Sequence, residues 1–131
     1  MITLKNKVEI IVPQKDNNGN EISSPTLKDE VITITFITGG NTITEVKGQW
    51  YSEDENRIMQ DDNLNIEWYY DKDMQDVNKQ QAILKGLSNI ARILILRYHQ
   101  EAVSIKVNGV LYIINESDLE FLTYDLYKLM F

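Results

Sequence analysis

Residues 26–40, TLKDEVITITFITGG, decide the fold, because two physical signals within them disagree. Ile32, Ile34 and Phe36 alternate with Thr33 and Thr35, the period-two pattern of a strand. Against this, Ser24 can cap a helix with Pro25 at its first position, and Leu27, Val31 and Ile34 share a helical face. Gly39 and Gly40 supply the left-handed stop that a helix needs. Local propensity favours a strand; the start and stop signals favour a helix. We assign helix to 26–38.

Working outward, KVEIIV (7–12) is β-branched and apolar, ends at Pro13, and reads as a strand. The polar loop QKDNNGNEISSP (14–25) follows. NTITEVKGQWY (41–51) and NLNIEWYY (63–70) read as two strands, and the acidic SEDEN (52–56) turns between them, giving a long hairpin. From Asp76 the period changes. Val77, Ile83, Leu84, Leu87, Ile90, Ala91, Leu94 and Tyr98 form one helical stripe, with Lys79, Lys85, Ser88, Asn89 and Arg92 away from it. In AVSIKVNGVLYII (102–114) two strands meet at Asn108-Gly109, a pair that tolerates the left-handed backbone of a two-residue turn. SDLE (117–120) reads as a capping box of Ser117 and Glu120, and Leu119, Leu122, Leu126, Leu129 and Met130 line a terminal helix.

With a helix at 26–38 the order is β-α-β-β-α-β plus a strand and a helix. That order predicts an α+β, ferredoxin-like antiparallel sheet with helices on one face. The chain reads as a single domain over 1–131, with a ferredoxin-like core at 1–107 and a hairpin strand and C-terminal helix at 108–131. Either the terminal helix or a second subunit is expected to cover the other face.

GQW at 48–50 and QEAV at 100–103, in this order and spacing, resemble a family of small bacterial proteins of uncharacterised activity. The resemblance runs over residues 7 to 107: a strand, a Pro- and Asp/Gly-marked loop, a helix closed by Gly-Gly, the GQW strand, an acidic turn, a long helix and QEAV. It implies a ferredoxin-like fold and brings no catalytic residue or cofactor. The chain departs from the pattern at Asn56, where the family's turn carries glycine, and at Asp61, where it carries glutamate.

The 131 residues are 43% hydrophobic and 25% charged, an ordinary balance for a globular domain, which at this size buries roughly two-thirds of its unfolded surface. There is no cysteine, which excludes disulfides, thiolate nucleophiles and Cys-based metal sites. MITLKNKVEIIVPQKD lacks the apolar core of a signal peptide, and IARILILRYH (90–99) holds two arginines and is too short to span a bilayer. A cytoplasmic protein without membrane contact is expected. A net charge of −7 disfavours direct nucleic-acid binding.

The chemical candidates are few. His99 in RYHQEAV (97–103), with Glu101 nearby, is the one histidine, and no nucleophile motif surrounds it. It reads as a helix-end residue. Glu53, Asp54 and Glu55 at the hairpin tip, with Asp61 and Asp62 beyond it, lack the fixed spacing of a cation site, and DNNGNE (16–21) reads as a turn. TGGNT (38–42) lacks the lysine of a phosphate loop. No catalytic, cofactor-binding or metal residue is assigned. Aromatics are the remaining lead, and Trp50, Trp68, Tyr70, Tyr124, Tyr127 and Phe131 are the candidate contact residues.

The sequence thus predicts a binding protein that self-associates, as a homodimer, or takes a protein partner. Two alternatives stand beside it. One is an acidic inhibitor from a phage or mobile element acting on a host nucleic-acid enzyme, in keeping with an Asn/Asp/Lys/Ile-rich composition. The other is a small enzyme with a pocket on the open sheet face, near His99, Glu101 or Trp50.

Overall fold

The computed structural model describes residues 1–74 and 76–131. The disputed segment is a helix, α1 (Pro25–Thr38), lying between strands β1 (Asn6–Pro13) and β2 (Thr42–Ser52). Ser24 Oγ accepts from the Leu27 amide at 3.2 Å, and Gly39 ends the helix at φ 98°, its N–H donating to the Thr35 carbonyl. The threonines that imitate a strand are accommodated by back-bonding: Thr33, Thr35 and Thr38 hydroxyls each donate to the carbonyl four residues earlier. Leu27, Val31 and Ile34 are buried, while Ile32 and Phe36 face outward.

β3 (Arg57–Tyr70) returns from β2 as an antiparallel hairpin, followed by α2 (Val77–Arg92), β4 (Val103–Val107), β5 (Val110–Ile114) and α3 (Leu122–Met130). Asp76 caps α2 by accepting from the Asn78 and Lys79 amides. The five strands form one antiparallel sheet in the order β2-β3-β1-β4-β5. The protein is therefore a mixed α+β fold of a five-stranded antiparallel sheet and three helices.

One apolar cluster runs from Val8 to Met130. Val8, Ile10 and Val12 of β1, Ile66, Trp68 and Tyr70 of β3, and Val103, Ile105 and Val107 of β4 meet the helices there. Each fully buried aliphatic side chain contributes about 1.5–3 kcal/mol. α1 and α2 touch so closely that a Cβ on Gly86 would lie 2.9 Å from Ile34 Cδ1.

Three local expectations change. The cap before α3 is made by Asn115 and Asp118, not Ser117 and Glu120. Asn115 Oδ1 accepts from the Ser117 amide, and Asp118 Oδ2 accepts from the Asn115 amide at 2.9 Å. Asparagine caps as well as serine, and its position lets the chain turn directly off β5 through a 3-10 stretch at Glu116–Phe121. Ser88 is buried, sharing a hydrogen bond of 3.0 Å with Thr123 of α3, and Leu129 and Val77 stand exposed rather than in the core. Finally, α3 buries Leu122, Leu126 and Met130 in the same cluster as the other helices. The terminal helix thus leaves the opposite sheet face open. Among the described residues, no helix is long and apolar enough to cross a membrane.

Candidate functional site

The open face carries a cleft of about 700 Å³, walled by the outer half of the β2–β3 hairpin and by the loop after β1. On the hairpin, register places Gly48 opposite Asp61 and Trp50 opposite Met59, all on the open side. Trp50 Nε1 donates to Asp61 Oδ2 at 3.0 Å, which holds the indole along the strand. Gly48 makes room: a Cβ there would stand 3.2 Å from Asn63 Nδ2. The GQW stretch therefore packs an indole and two polar side chains onto one patch of sheet.

The facing wall is the loop 14–21. Asp16 Oδ1 accepts from the amides of Asn18 and Asn20, and Gly19 takes φ 81°. The loop is a self-capped turn, its carboxylate occupied by backbone donors. Asn17 then bridges to the far end of α2, donating from Nδ2 to the His99 carbonyl and accepting from Gln100 Nε2 at 3.3 Å. That corner is shaped by a π-helical turn at Ile93–Arg97, after which His99 adopts φ 54° and the Gln100 amide reaches back to the Leu94 carbonyl. Gln100, Ala102 and Ser104 complete the cleft. Two stretches half the chain apart, GQW and QEAV, thus border one cavity.

Its charge is mixed but negative: Lys15 stands against Asp16, Asp61 and Asp62. Towards the sheet centre the open face becomes an ionic row. Glu9 of the central strand is buried there, accepting from Asn65 Nδ2 at 3.1 Å and lying 3.9 Å from Lys7 Nζ. Lys7 also meets Glu67 at 3.6 Å, and these carboxylates, Glu9 foremost, hold its ammonium pKa above the ordinary lysine value. Asn65 Oδ1 is a buried acceptor without a partner among the described residues.

Of the residues singled out in the sequence, Trp50 and Asp61 are brought together in the cleft. His99 and Glu101 are exposed outside its lining, and the His99 carbonyl, not its ring, makes the contact that shapes the site. Trp68 and Tyr70 lie in the core at 0% and 1% exposure, so neither can meet a partner. They alternate onto the helix-covered face, as the hairpin register requires. Tyr124 and Tyr127 are exposed on α3, with Lys128 Nζ 4.7 Å from the Tyr124 ring centroid, while Phe131 packs edge-on against Tyr70. Glu53, Asp54 and Glu55 sit at the hairpin tip away from the cleft, and no cluster fit to hold a metal ion exists among the described residues. Sequence reading missed Asn63, Gln60, Lys15 and Ser104. The signal lay in the register, since a turn at 53–56 pairs Ser52 with Arg57 and so places Asp61 diagonal to Trp50 and Asn63 beside Gly48.

No family model and no curated protein sequence matches the chain. Solved structures do. The fold is similar to that of a phage SAM lyase. Its complex with S-methyl-5'-thioadenosine aligns with a TM-score of 0.54 and 12% identity over 89% of this chain and 96% of the lyase. A phage SAM lyase in the apo state aligns with a TM-score of 0.51 and 13% identity over 88% of this chain and 94% of that one. At that identity the likeness is one of fold.

Proposed function

We propose that the protein is a self-associating binding protein that takes a small polar ligand, of nucleoside size, in the cleft on its open sheet face. The carrying observation is the cleft itself: an indole fixed by Asp61, facing amide, hydroxyl and carboxylate groups supplied by three separate parts of the chain. Flat ligands are held by an aromatic face together with a few placed polar groups. We also read the topology as ferredoxin-like with an added strand and helix. The order β2-β3-β1-β4, antiparallel throughout, supports that reading.

The two tryptophans make the test direct. Trp68 is fully buried and Trp50 is half exposed, so a ligand in the cleft should alter only the Trp50 emission. Titration with S-methyl-5'-thioadenosine and S-adenosylmethionine, the first probes suggested by the similar fold, is expected to quench wild-type fluorescence and leave Trp50→Phe unchanged. An unaltered wild-type spectrum at millimolar ligand would count against the cleft as their site.

A small enzyme is the second reading, favoured by the position of the cleft on an uncovered sheet face in a fold similar to that of a lyase. Fold alone does not carry activity. Incubation with S-adenosylmethionine, followed by chromatography for S-methyl-5'-thioadenosine, separates the readings: turnover lost in Trp50→Phe favours the enzyme, and binding without turnover favours the binding protein.

A further inference from the structure

The sheet has two edges, and they differ in kind. β2, at one end, carries Glu45, Lys47 and Gly48, charges and a glycine that discourage another strand from pairing. β5, at the other, is VLYII, with no charge, proline or glycine. Leu111 and Ile113 are 50% and 64% exposed on its open side. An uncharged apolar edge of this sort is a template for one more strand.

The free hydrogen-bonding groups can be located. Asn108 at φ 50° and Gly109 at φ 82° form a two-residue turn with both residues left-handed, which closes on a hydrogen-bonded pair, Val107 and Val110. Antiparallel pairs then alternate, so Tyr112 and Ile114 also bond inward to β4. Leu111 and Ile113 consequently turn their N–H and C=O groups outward.

We propose that this edge pairs with the same edge of a second copy, antiparallel about a two-fold axis at Tyr112, joining two five-stranded sheets into one of ten. The strand is its own complement. In this register Leu111 of each copy exchanges N–H···O bonds with Ile113 of the other, the two residues whose groups are free. Tyr112 meets Tyr112 as the non-hydrogen-bonded pair, and Val110 meets Ile114. Apolar residues face apolar residues at every position.

The terminal helix flanks the same edge. Tyr70 Oη donates to the Met130 carbonyl, and the strand registers place Tyr70 level with the start of β5, so the 3-10 stretch and α3 run back along β5 from Asp118 to Lys128. Antiparallel pairing brings the Asp118 end of one copy to the Lys128 end of the other, where Lys128 is already paired with Asp125 of its own helix at 3.8 Å. The remaining net charge of −7 on each copy opposes association over longer range, so added salt strengthens the dimer. This inference rests on the self-association part of the proposed function and is independent of the ligand.

Sedimentation equilibrium of the full chain across micromolar concentrations tests it. The wild-type mass is expected to rise towards that of a dimer, more readily at higher salt. Ile113→Lys, a change at an exposed position, is expected to weaken dimerisation about tenfold or more while leaving the melting temperature of the dilute monomer in place. Because the chain has no cysteine, Leu111→Cys and Ile113→Cys give single, unambiguous thiols. Their equimolar mixture should form a crosslinked heterodimer on mild oxidation, and each variant alone should not. A wild type that stays monomeric overturns self-association and this inference together. A dimer unaffected by Ile113→Lys, or crosslinking no greater in the mixture than in either variant alone, overturns pairing at β5 while self-association stands.

Discussion

Trp68 Nε1 donates to Thr35 Oγ1 at 3.0 Å, tying strand β3 to the helix whose assignment decides the fold. The same hydroxyl donates to the Val31 carbonyl and accepts from Asn41 Nδ2, each at 2.7 Å. Thr35→Val keeps the shape and removes all three contacts, leaving the indole N–H of a fully buried residue without its partner. A loss of about 1–3 kcal/mol is expected for such a donor. Thr35→Ser should retain most of the stability. Urea unfolding of both variants checks this; equal losses would show that packing of the methyl group, not the hydrogen bond, is what matters.

The helix at 26–38 was legible only because its ends outweighed its middle. The Ile-Thr alternation is a strand pattern, and β-branched residues lose freedom in a helix. What the sequence could not display is that the threonine hydroxyls find carbonyl acceptors along the helix and that Thr35 finds Trp68 across the core. The existence of the strands followed from period and turn residues, as at Asn108-Gly109, but β3 begins at Arg57, well before the NLNIEWYY stretch read as its strand. The cleft was legible in fragments. Trp50 and Asp61 were both noticed, but their meeting depends on register, and the contact of Asn17 with Gln100 spans 83 positions between its partner residues. No local pattern encodes a contact of that range.

Gly86 permits the closest approach of α1 and α2. Alanine in its place gains about 1 kcal/mol of helix propensity. Its Cβ, however, would meet Ile34 Cδ1 and Cγ1 at 2.9 Å, and Ile34 is fully buried. Overpacking of this kind costs about 1–3 kcal/mol, so Gly86→Ala is expected to destabilise on balance. In an Ile34→Val background, which removes the Cδ1 atom, the same change should cost less. A thermal-unfolding double-mutant cycle measures the coupling, and strict additivity would mean that the helices separate freely.

The Trp50–Asp61 bond lies on the surface, so its contribution to stability is small, under about 1 kcal/mol. Its effect on the cleft is larger, because it sets the direction of the indole. Asp61→Ala is expected to shift Trp50 emission to the red and increase its quenching by iodide, with the buried Trp68 unaffected. Asp61→Asn keeps an acceptor at Oδ1 and should resemble the wild type. If both variants shift equally, the carboxylate charge rather than the hydrogen bond orients the ring.

Tyr70 supplies a pH dependence with a definite sign. Burial raises its phenol pKa from 10.0 to about 12, because the phenolate would lie in the core with the Met130 carbonyl as its neighbour. Below pH 10 both folded and unfolded chains keep the proton. Between pH 10 and about 12 the unfolded chain releases it and the folded chain retains it. The unfolded state then binds fewer protons, so stability falls as pH rises through this interval. Ultraviolet titration of the folded protein should show a late step near pH 12 for Tyr70, coincident with loss of structure. Tyr70→Phe should remove that late step and flatten the alkaline decline, at the expense of the hydrogen bond that anchors the end of α3. A late step that survives in Tyr70→Phe would assign it to another tyrosine and show that the core at the end of α3 admits water.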